Sequence, residues 1–241
     1  MENDKKTGTA VQQAPEKEKK AEVVPADPTV LAPQKHTFIY TLAVCVMWVV
    51  FKVLYFMRIE GRENIEKGKN VVLMGNHQCM FDPVCLALCV PDREIHFMGK
   101  KELWNNKFLG WVFTKVHGFP VDRGNVDMAA IRTAMGVLKE GNTLGIFPEG
   151  TRSKAGHMLP LLGGASMLAF KSGVDVVPVY IDGNYKPFRR ITVRVGKPIS
   201  MQEIRSAFSG KAAVDEVTRR MEASFAQLSG GRSLPPAREE A

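Results

Sequence analysis

Two side chains that commonly carry out acid–base chemistry lie five positions apart in the segment VVLMGNHQCMFDP, residues 71–83. An apolar run typical of a buried strand ends just before His77, and Asp82 directly precedes Pro83. A regular helix turns about 140° over five residues, so these two side chains cannot share one helical face. Because proline favours the first helical position, we predict that a turn folds His77 back toward Asp82, the N-cap of the next helix.

A carboxylate that accepts a hydrogen bond from Nδ1 of an imidazole selects the tautomer that leaves Nε2 free as a general base. The alternative is that Asp82 only caps a helix and His77 only ends a strand. Cys79 is a possible thiolate nucleophile, although a small side chain that fills the turn is the simpler interpretation. No Gly-x-Ser-x-Gly elbow occurs, so a base at His77 would act on a hydroxyl of the substrate or on water.

A second segment with chemical potential is FPEGTRS, residues 147–153, which ends an apolar run. Gly150 and Thr151 permit a turn with close backbone approach, and Arg152 suits a bidentate contact with phosphate. Glu149 could orient an arginine or accept from a substrate hydroxyl. Arg123, in VDRGN, occupies a similar position after another apolar run. The alternative for these residues is a structural ion pair between Glu149 and one of the arginines.

The composition indicates an anionic partner. The chain has 241 residues, 45% of them hydrophobic, and a net charge of +8. Residues 1–36 contain six Lys and six Asp or Glu, so the positive excess belongs to the remainder and favours phosphate groups or an anionic membrane surface. We find no nucleic-acid-binding signature and therefore expect no nucleic acid partner. Four cysteines without a paired framework suit a reducing compartment. No set of metal ligands is visible, so we expect neither metal nor cofactor.

The segment FIYTLAVCVMWVVFKVLYFM, residues 38–57, has one charge, Lys52, in 20 positions. As a helix it would be about 30 Å long, roughly the hydrocarbon thickness of a bilayer. Length and low charge favour a membrane helix over a buried core helix, and both a spanning and an interfacial helix fit. Basic residues follow closely (Arg58, Arg62, Lys67 and Lys69), which predicts that the domain after the helix lies on the cytoplasmic side.

From residue 70 onward, strand-like and helix-like runs alternate with short connections, and the last run is a helix within residues 201–228. This alternation predicts an α/β fold with a largely parallel sheet covered by helices. We therefore predict four regions: a disordered polar tail, a membrane-spanning or interfacial helix, an α/β domain and a flexible C-terminal tail, at residues 1–36, 37–57, 58–228 and 229–241. Ligand sites in such sheets lie beyond the carboxyl ends of the strands, where both segments described above are expected.

Trp104, Phe108 and Trp111 are spaced as a stripe on a predicted helix over residues 101–116, with lysines nearby. Such a stripe can lie in a membrane interface or face the core, and the sequence favours neither.

Four motifs of this sequence together resemble those of the glycerolipid acyltransferase family, which is typified by 1-acyl-glycerol-3-phosphate acyltransferase. The His-x4-Asp motif matches NHQCMFD, the second motif matches GFPVDR, and Phe-Pro-Glu-Gly-Thr-Arg-Ser occurs unchanged at residues 147–153. The fourth motif, an apolar strand with proline, matches VVPV. The resemblance covers about residues 57–200, with the motifs in the family's order.

The resemblance implies that His77 deprotonates the sn-2 hydroxyl of lysophosphatidate, which attacks the thioester of acyl-CoA or acyl carrier protein to give phosphatidate. Asp82 would orient His77. The acceptor's glycerol phosphate would be bound by residues of the second and third motifs, namely Arg123, Glu149, Gly150, Thr151 and Arg152. The expected location is a membrane, more in keeping with a bacterial inner membrane than an organelle membrane. The alternatives are another acceptor, either glycerol 3-phosphate or a lyso-aminolipid, or a membrane-anchored lipid-binding protein without activity.

Overall fold

The computed structural model of the chain describes residues 37–122, 127–154, 157–183 and 185–231, and the predicted tails fall largely or wholly outside these ranges. The helices are α1 Phe38–Tyr55, α2 Asp82–Cys89, α3 Lys107–Lys115, α4 Met128–Lys139, α5 Gly163–Ser172, α6 Met201–Ala207 and α7 Gly210–Ser229. The strands are β1 Arg58–Glu60, β2 Val72–Gly75, β3 Ile95–Lys100, β4 Gly118–Val121, β5 Thr143–Ile146, β6 Val176–Asp182 and β7 Thr192–Val195.

The seven strands form one sheet in the order β1-β7-β6-β2-β5-β3-β4. Every neighbouring pair is parallel except β6 and β7, whose short connection contains no crossover helix. The predicted α/β class with a largely parallel sheet is therefore confirmed. The short strand β1, which the sequence did not predict, pairs with β7 at the edge of the sheet.

Helices cover both faces of the sheet because successive side chains of a strand point to opposite sides. In β2, Val72 and Met74 pack in the core formed with α4 to α7, whereas Leu73 packs in the core formed with α1 and α2. All three side chains are fully buried. This two-sided burial explains why the strand has a continuous apolar sequence rather than an alternating one.

Helix α1 is long and apolar enough to cross a membrane, yet one of its faces belongs to the core of the α/β domain. Tyr40 and Phe51 are buried against the sheet side, while Leu42, Val49 and Val53 are more than half exposed. Main-chain bonds also fasten the end of α1, since the carbonyl groups of its last two residues accept from the amides of residues 188 and 191. The predicted membrane helix is thus packed along the domain and presents a single apolar face outward.

Two predicted helices are each divided in the structure. The predicted helix 101–116 is a 3-10 turn, Lys101–Asn105, followed by α3, because the side chain of Asn106 accepts two amide hydrogen bonds and starts a new helix. The predicted final helix consists of α6 and α7, which are separated by an extended Phe208 and Ser209.

The division of the first of these helices also separates the aromatic stripe. Trp104 is half-buried in the 3-10 turn and contacts Phe113. Phe108 and Trp111, in α3, are 70% and 52% exposed. The core interpretation therefore suits Trp104, and the interfacial interpretation suits the other two residues.

A buried polar cluster lies at the amino-terminal end of α1. Glu94 accepts a hydrogen bond from the amide of Thr37 (2.6 Å) through Oε1, and its Oε2 lies 2.5 Å from Nε2 of His117. The ring of His117 lies between those of Tyr40 and His96, at 5.4 and 4.9 Å. His96 is fully buried, and neither of its ring nitrogens has a hydrogen-bond partner among the described residues.

Burial, and to a lesser extent the neighbouring His117, lowers the pKa of His96 to about 4. An unfolded histidine titrates near about 6.5, so between these values the unfolded chain takes up a proton that the folded chain does not. We therefore expect the free energy of unfolding to decrease as the pH is lowered across this window, by up to about 1.4 kcal/mol per pH unit from this residue. His96→Leu should remove that contribution without leaving a polar group unsatisfied. Denaturant unfolding in detergent from pH 7 to 4 checks this, and parallel curves for the two proteins would contradict it.

Candidate active site

The site lies at the carboxyl ends of three neighbouring strands, β6, β2 and β5. The end of β2 is held by Asn76, which is buried and forms two side-chain hydrogen bonds with the main chain of Ile181 in β6. Asn76 Nδ2 donates to the carbonyl at 3.0 Å, and its Oδ1 accepts from the amide at 2.6 Å. These bonds continue the pairing of the two strands by one residue and fix the point at which the chain leaves the sheet, directly before His77.

His77 and Asp82 are brought together by the turn between β2 and α2. Nδ1 of His77 lies 2.8 Å from Oδ2 of Asp82, and both side chains are buried. The same Oδ2 accepts from the amides of Gln78 at 2.6 Å and Cys79 at 2.7 Å. With its proton on Nδ1, the imidazole donates to the carboxylate and leaves Nε2 as an acceptor.

The prediction that Asp82 is the N-cap of α2 is wrong. Phe81 occupies that position without a side-chain cap, and Asp82 is the first residue of the helix. Its carboxylate points back toward the preceding turn because three donors lie there: the His77 ring and two amides. The turn itself was predicted, and two of its amides donate to this carboxylate.

The segment 147–153 surrounds His77 from the neighbouring strand end. The ring of Phe147 stacks on the imidazole, with centroids 4.1 Å apart and planes 18° apart. The His77 amide donates to Oε1 of Glu149 at 2.7 Å, and the His77 carbonyl accepts from the amide of Ser153 at 2.8 Å. The ring and both main-chain polar groups of His77 are therefore held by the third motif.

Glu149 does more than hold His77. Its second oxygen, Oε2, accepts from the amide of Leu159 at 2.7 Å, and the residue is only 4% exposed. Burial raises the pKa of the Glu149 carboxyl group, and its two amide donors partly oppose that shift. Both oxygens are thus occupied by the main chain, which links the end of β2 to the loop before α5.

The other predicted site residues of this segment lie in the turn after Phe147. Gly150 adopts φ +69°, and a Cβ at this position would lie 2.5 Å from Leu162 Cδ1, so the turn requires glycine. Thr151 and Arg152 are exposed. Arg152 and His77 line the same cavity, and Arg152 forms no salt bridge with a carboxylate in the described part of the chain.

Arg123, the remaining predicted site residue, lies outside the described residues. The preceding strand, β4, is at the edge of the sheet and is separated from β5 by β3.

Tyr185, which follows β6, is part of the site although the sequence analysis did not identify it. Its hydroxyl donates to Oδ1 of Asp82 at 2.5 Å and lies 3.2 Å from Sγ of Cys85. Burial, reinforced by Cys85 and Asp82, raises the pKa of the Tyr185 phenol, which keeps it a donor. No local motif marks this residue; the available signal was the position of β6, whose carboxyl end could have been expected beside that of β2.

An apolar cavity of about 550 Å³ opens at His77 and Arg152. One wall is formed by α1, through Tyr40, Ala43 and Met47, which lie on one side of the helix at a spacing of three or four residues. The other walls come from α2, β3 and α3. A space of this size and lining suits a hydrocarbon chain better than a polar metabolite.

The comparisons with known proteins agree with this architecture. The sequence profile of a family described as Acyltransferase matches residues 56–182. A 1-acyl-sn-glycerol-3-phosphate acyltransferase of Bacillus subtilis is 35% identical over 127 residues, which span 53% of this chain and 63% of that protein. One of Streptococcus pneumoniae is 27% identical over 199 residues, 80% of this chain and 72% of that protein.

A solved structure is similar as well. The crystal structure of the 1-acyl-sn-glycerophosphate (LPA) acyltransferase PlsC from Thermotoga maritima matches with a TM-score of 0.59 and 26% identity. The match covers 79% of this chain and 77% of that one.

Replacing the Glu149 carboxylate should show how far it supports the site. Glu149→Gln keeps one acceptor but turns an NH₂ group toward a main-chain amide, so we expect a loss of about 1–3 kcal/mol in the free energy of unfolding. Amide hydrogen exchange at His77 and Leu159 should accelerate. Glu140→Gln, an exposed change of the same kind after α4, is the control. Equal free energies of unfolding for the two variants would contradict a stabilising role of Glu149 in the site.

Proposed function

The chain belongs to the acyltransferase family, and we propose that it transfers a fatty acyl group from a thioester to the sn-2 hydroxyl of 1-acyl-glycerol 3-phosphate, giving phosphatidate. The observation that carries this proposal is the position of the His77–Asp82 pair at the opening of an apolar cavity lined by α1. The names of the Bacillus subtilis and Streptococcus pneumoniae relatives support the acceptor.

In the proposed reaction, Nε2 of His77 takes the proton of the sn-2 hydroxyl as its oxygen attacks the thioester carbonyl carbon. The attack forms the new carbon–oxygen bond, and collapse of the tetrahedral intermediate restores the carbonyl group and breaks the carbon–sulfur bond. The imidazolium then gives its proton to the departing thiolate. Asp82 stabilises the imidazolium through Nδ1. The donor is acyl-CoA or acyl carrier protein, and the reaction as written uses no metal or other cofactor.

Tyr185 and Glu149 are positioning residues in this scheme. The Tyr185 hydroxyl holds the Asp82 oxygen that His77 does not use. Glu149, predicted from the sequence to contact the acceptor, instead has both oxygens bound by amides. We therefore assign it to fixing His77 rather than to binding the substrate, because a carboxylate satisfied by two main-chain donors has little to offer a hydroxyl group.

The acceptor's phosphate would be bound by Arg152, which is exposed at the cavity opening and has no carboxylate partner among the described residues. A guanidinium binds phosphate through paired hydrogen bonds. Gly150 and Thr151 would let the backbone approach the same headgroup, and Arg123 remains the second predicted guanidinium. The acyl chains would occupy the apolar cavity. The phosphate and the hydrocarbon would then lie on opposite sides of His77.

We also propose that α1 lies in one leaflet rather than spanning the bilayer, with the domain at the cytoplasmic surface. Both ends of α1 are bonded to the α/β domain: Glu94 binds the amide of Thr37 at one end, and the loop after β6 binds the other. A spanning helix would either break the bond between Thr37 and Glu94 or draw the buried Glu94 cluster into the hydrocarbon, at a high desolvation cost. The exposed Phe108 and Trp111 suit the same interface.

The catalytic role of His77 is tested by His77→Gln, which keeps a polar side chain but removes the base. We expect turnover with lysophosphatidate to fall by about 10²- to 10⁴-fold in assays that offer acyl-CoA and acyl carrier protein in parallel. His157→Gln is the matched control, since the main-chain carbonyl of His157, rather than its ring, contacts Ser153. A His77→Gln variant that keeps most of its rate would show that His77 is not the base, whereas an unsubstituted protein without turnover would favour a lipid-binding protein.

The phosphate site is tested by Arg152→Ala. If the guanidinium grips phosphate equally in the ground and transition states, the KM for the acceptor should rise about tenfold or more with little change in kcat. Arg132→Ala, which removes an exposed guanidinium from α4, should leave both constants unchanged. An Arg152→Ala variant in which only kcat falls would assign Arg152 to the reacting centre instead.

A further inference from the structure

The loop between β6 and β7 carries an exposed apolar side chain among cations. Residues 186–190 read KPFRR, and all five are exposed. Phe188 is 68% exposed. Arg189 and Arg190 form no salt bridge with any carboxylate of the described residues, so their charges are available to an external partner.

The same loop is fastened to the end of the membrane helix. The amide of Phe188 donates to the carbonyl of Leu54 at 2.6 Å, and the amide of Ile191 donates to that of Tyr55 at 3.0 Å. These bonds use carbonyl groups that a helix end otherwise leaves unsatisfied. The position of Phe188 is therefore set by α1 and not by the loop alone.

Two bulky residues at this corner have a left-handed backbone. Phe188 has φ +61° and Phe56, directly after α1, has φ +42°. This conformation costs a non-glycine residue about 1–2 kcal/mol, and neither ring is buried in return, since Phe56 is 51% exposed. Strain that places two aromatic rings in solvent indicates an environment that the isolated chain lacks.

The exposed face of α1 supplies that environment. Val49, Val53 and Phe56 are exposed and spaced by three or four residues, so they form one stripe that leads to Phe188. An apolar stripe that ends in a cluster of cations matches the boundary between lipid hydrocarbon and phosphate headgroups. A nucleic acid or an acidic protein would match the cations but not the continuous hydrocarbon-like face.

We propose that residues 186–190 form a contact for anionic phospholipids, in which Phe188 inserts at the headgroup boundary and Arg189 and Arg190 bind lipid phosphates. The contact goes beyond the proposed acyl transfer and does not require it. Tyr185, which bonds to Asp82, lies in the same loop, immediately before residues 186–190. The contact would thus set the height of the candidate active site relative to the leaflet surface.

The charge part is tested with the full chain and vesicles of phosphatidylcholine, with or without added phosphatidylglycerol. A basic residue near an anionic surface contributes about 1 kcal/mol, so Arg189→Gln with Arg190→Gln should weaken partitioning to the anionic vesicles by about 30-fold at low salt. Partitioning to phosphatidylcholine alone, which α1 supports, should change little. The control is Lys139→Gln with Lys171→Gln, an equal charge change on two helices of the opposite face.

An unchanged preference for anionic vesicles in the arginine variant, or an equal loss in the lysine control, would overturn the proposal. Glycerol phosphate added in solution serves as the competitor. The proposal expects anionic vesicle binding to persist at concentrations that saturate the acceptor site, whereas its complete displacement would assign the arginines to soluble phosphate and overturn the membrane contact.

Insertion of the ring is tested separately with Phe188→Trp, which keeps an aromatic side chain. Its fluorescence, taken as the difference from the unsubstituted protein, should shift to shorter wavelength on anionic vesicles and be quenched by brominated lipid chains. A fluorescence difference that vesicles leave unaltered would overturn insertion. Because neither readout involves turnover, an inactive but membrane-bound protein would contradict the proposed function and leave this contact standing.

Discussion

The candidate site depends on the carboxylate of Asp82 and on how its two oxygens are shared. One oxygen accepts from the His77 ring and from two amides of the turn, and the other accepts from Tyr185. A buried carboxylate needs such donors in place of the water that it loses on folding. The same bonds hold the imidazole in one orientation. The hydrogen bonds that satisfy the Asp82 carboxylate therefore also orient the candidate base.

The order of the strands makes this arrangement of hydrogen bonds possible. Strand β2 lies between β5 and β6, and in a parallel arrangement the carboxyl ends of all three lie at one edge. The chain after β2 supplies the base and its carboxylate, the chain after β5 grips His77, and the chain after β6 supplies Tyr185. His77, Glu149 and Tyr185 each lie within three residues of a strand end, so they are positioned mainly by rigid strands rather than by the conformational preferences of the loops.

In the proposed function, helix α1 links the site to the membrane because its two faces have different surroundings. One face completes the core of the domain and walls the apolar cavity, while the other faces outward. Near its carboxyl end, Phe51 and Tyr55 pack against Tyr185, the residue that bonds to Asp82. The proposed membrane helix and the candidate catalytic pair are therefore separated by one layer of aromatic side chains.

Local patterns in the sequence were sufficient for the fold class and for the pairing of His77 with Asp82. Alternating apolar runs predicted the largely parallel sheet, and the low charge of residues 38–57 predicted an apolar helix. The resemblance carried by the four motifs predicted the family. The turn that joins His77 to Asp82 could be read from Pro83 and from the spacing of five, because turn formation is governed by neighbouring residues. The capping role predicted for Asp82 was wrong, since three of the donors to its carboxylate precede it in the chain.

The tertiary structure decided which partner each polar group has. Glu149 and Tyr185 lie 72 and 103 residues from the groups they bind, and no local pattern encodes such a distance. The packing of one face of α1 against the domain was equally hidden, because an apolar helix has the same composition against lipid as against protein. The sequence therefore determined the chemical groups and their local turns, whereas the packing of distant strands determined which of those groups meet, since hydrogen bonds and burial act between neighbours in space.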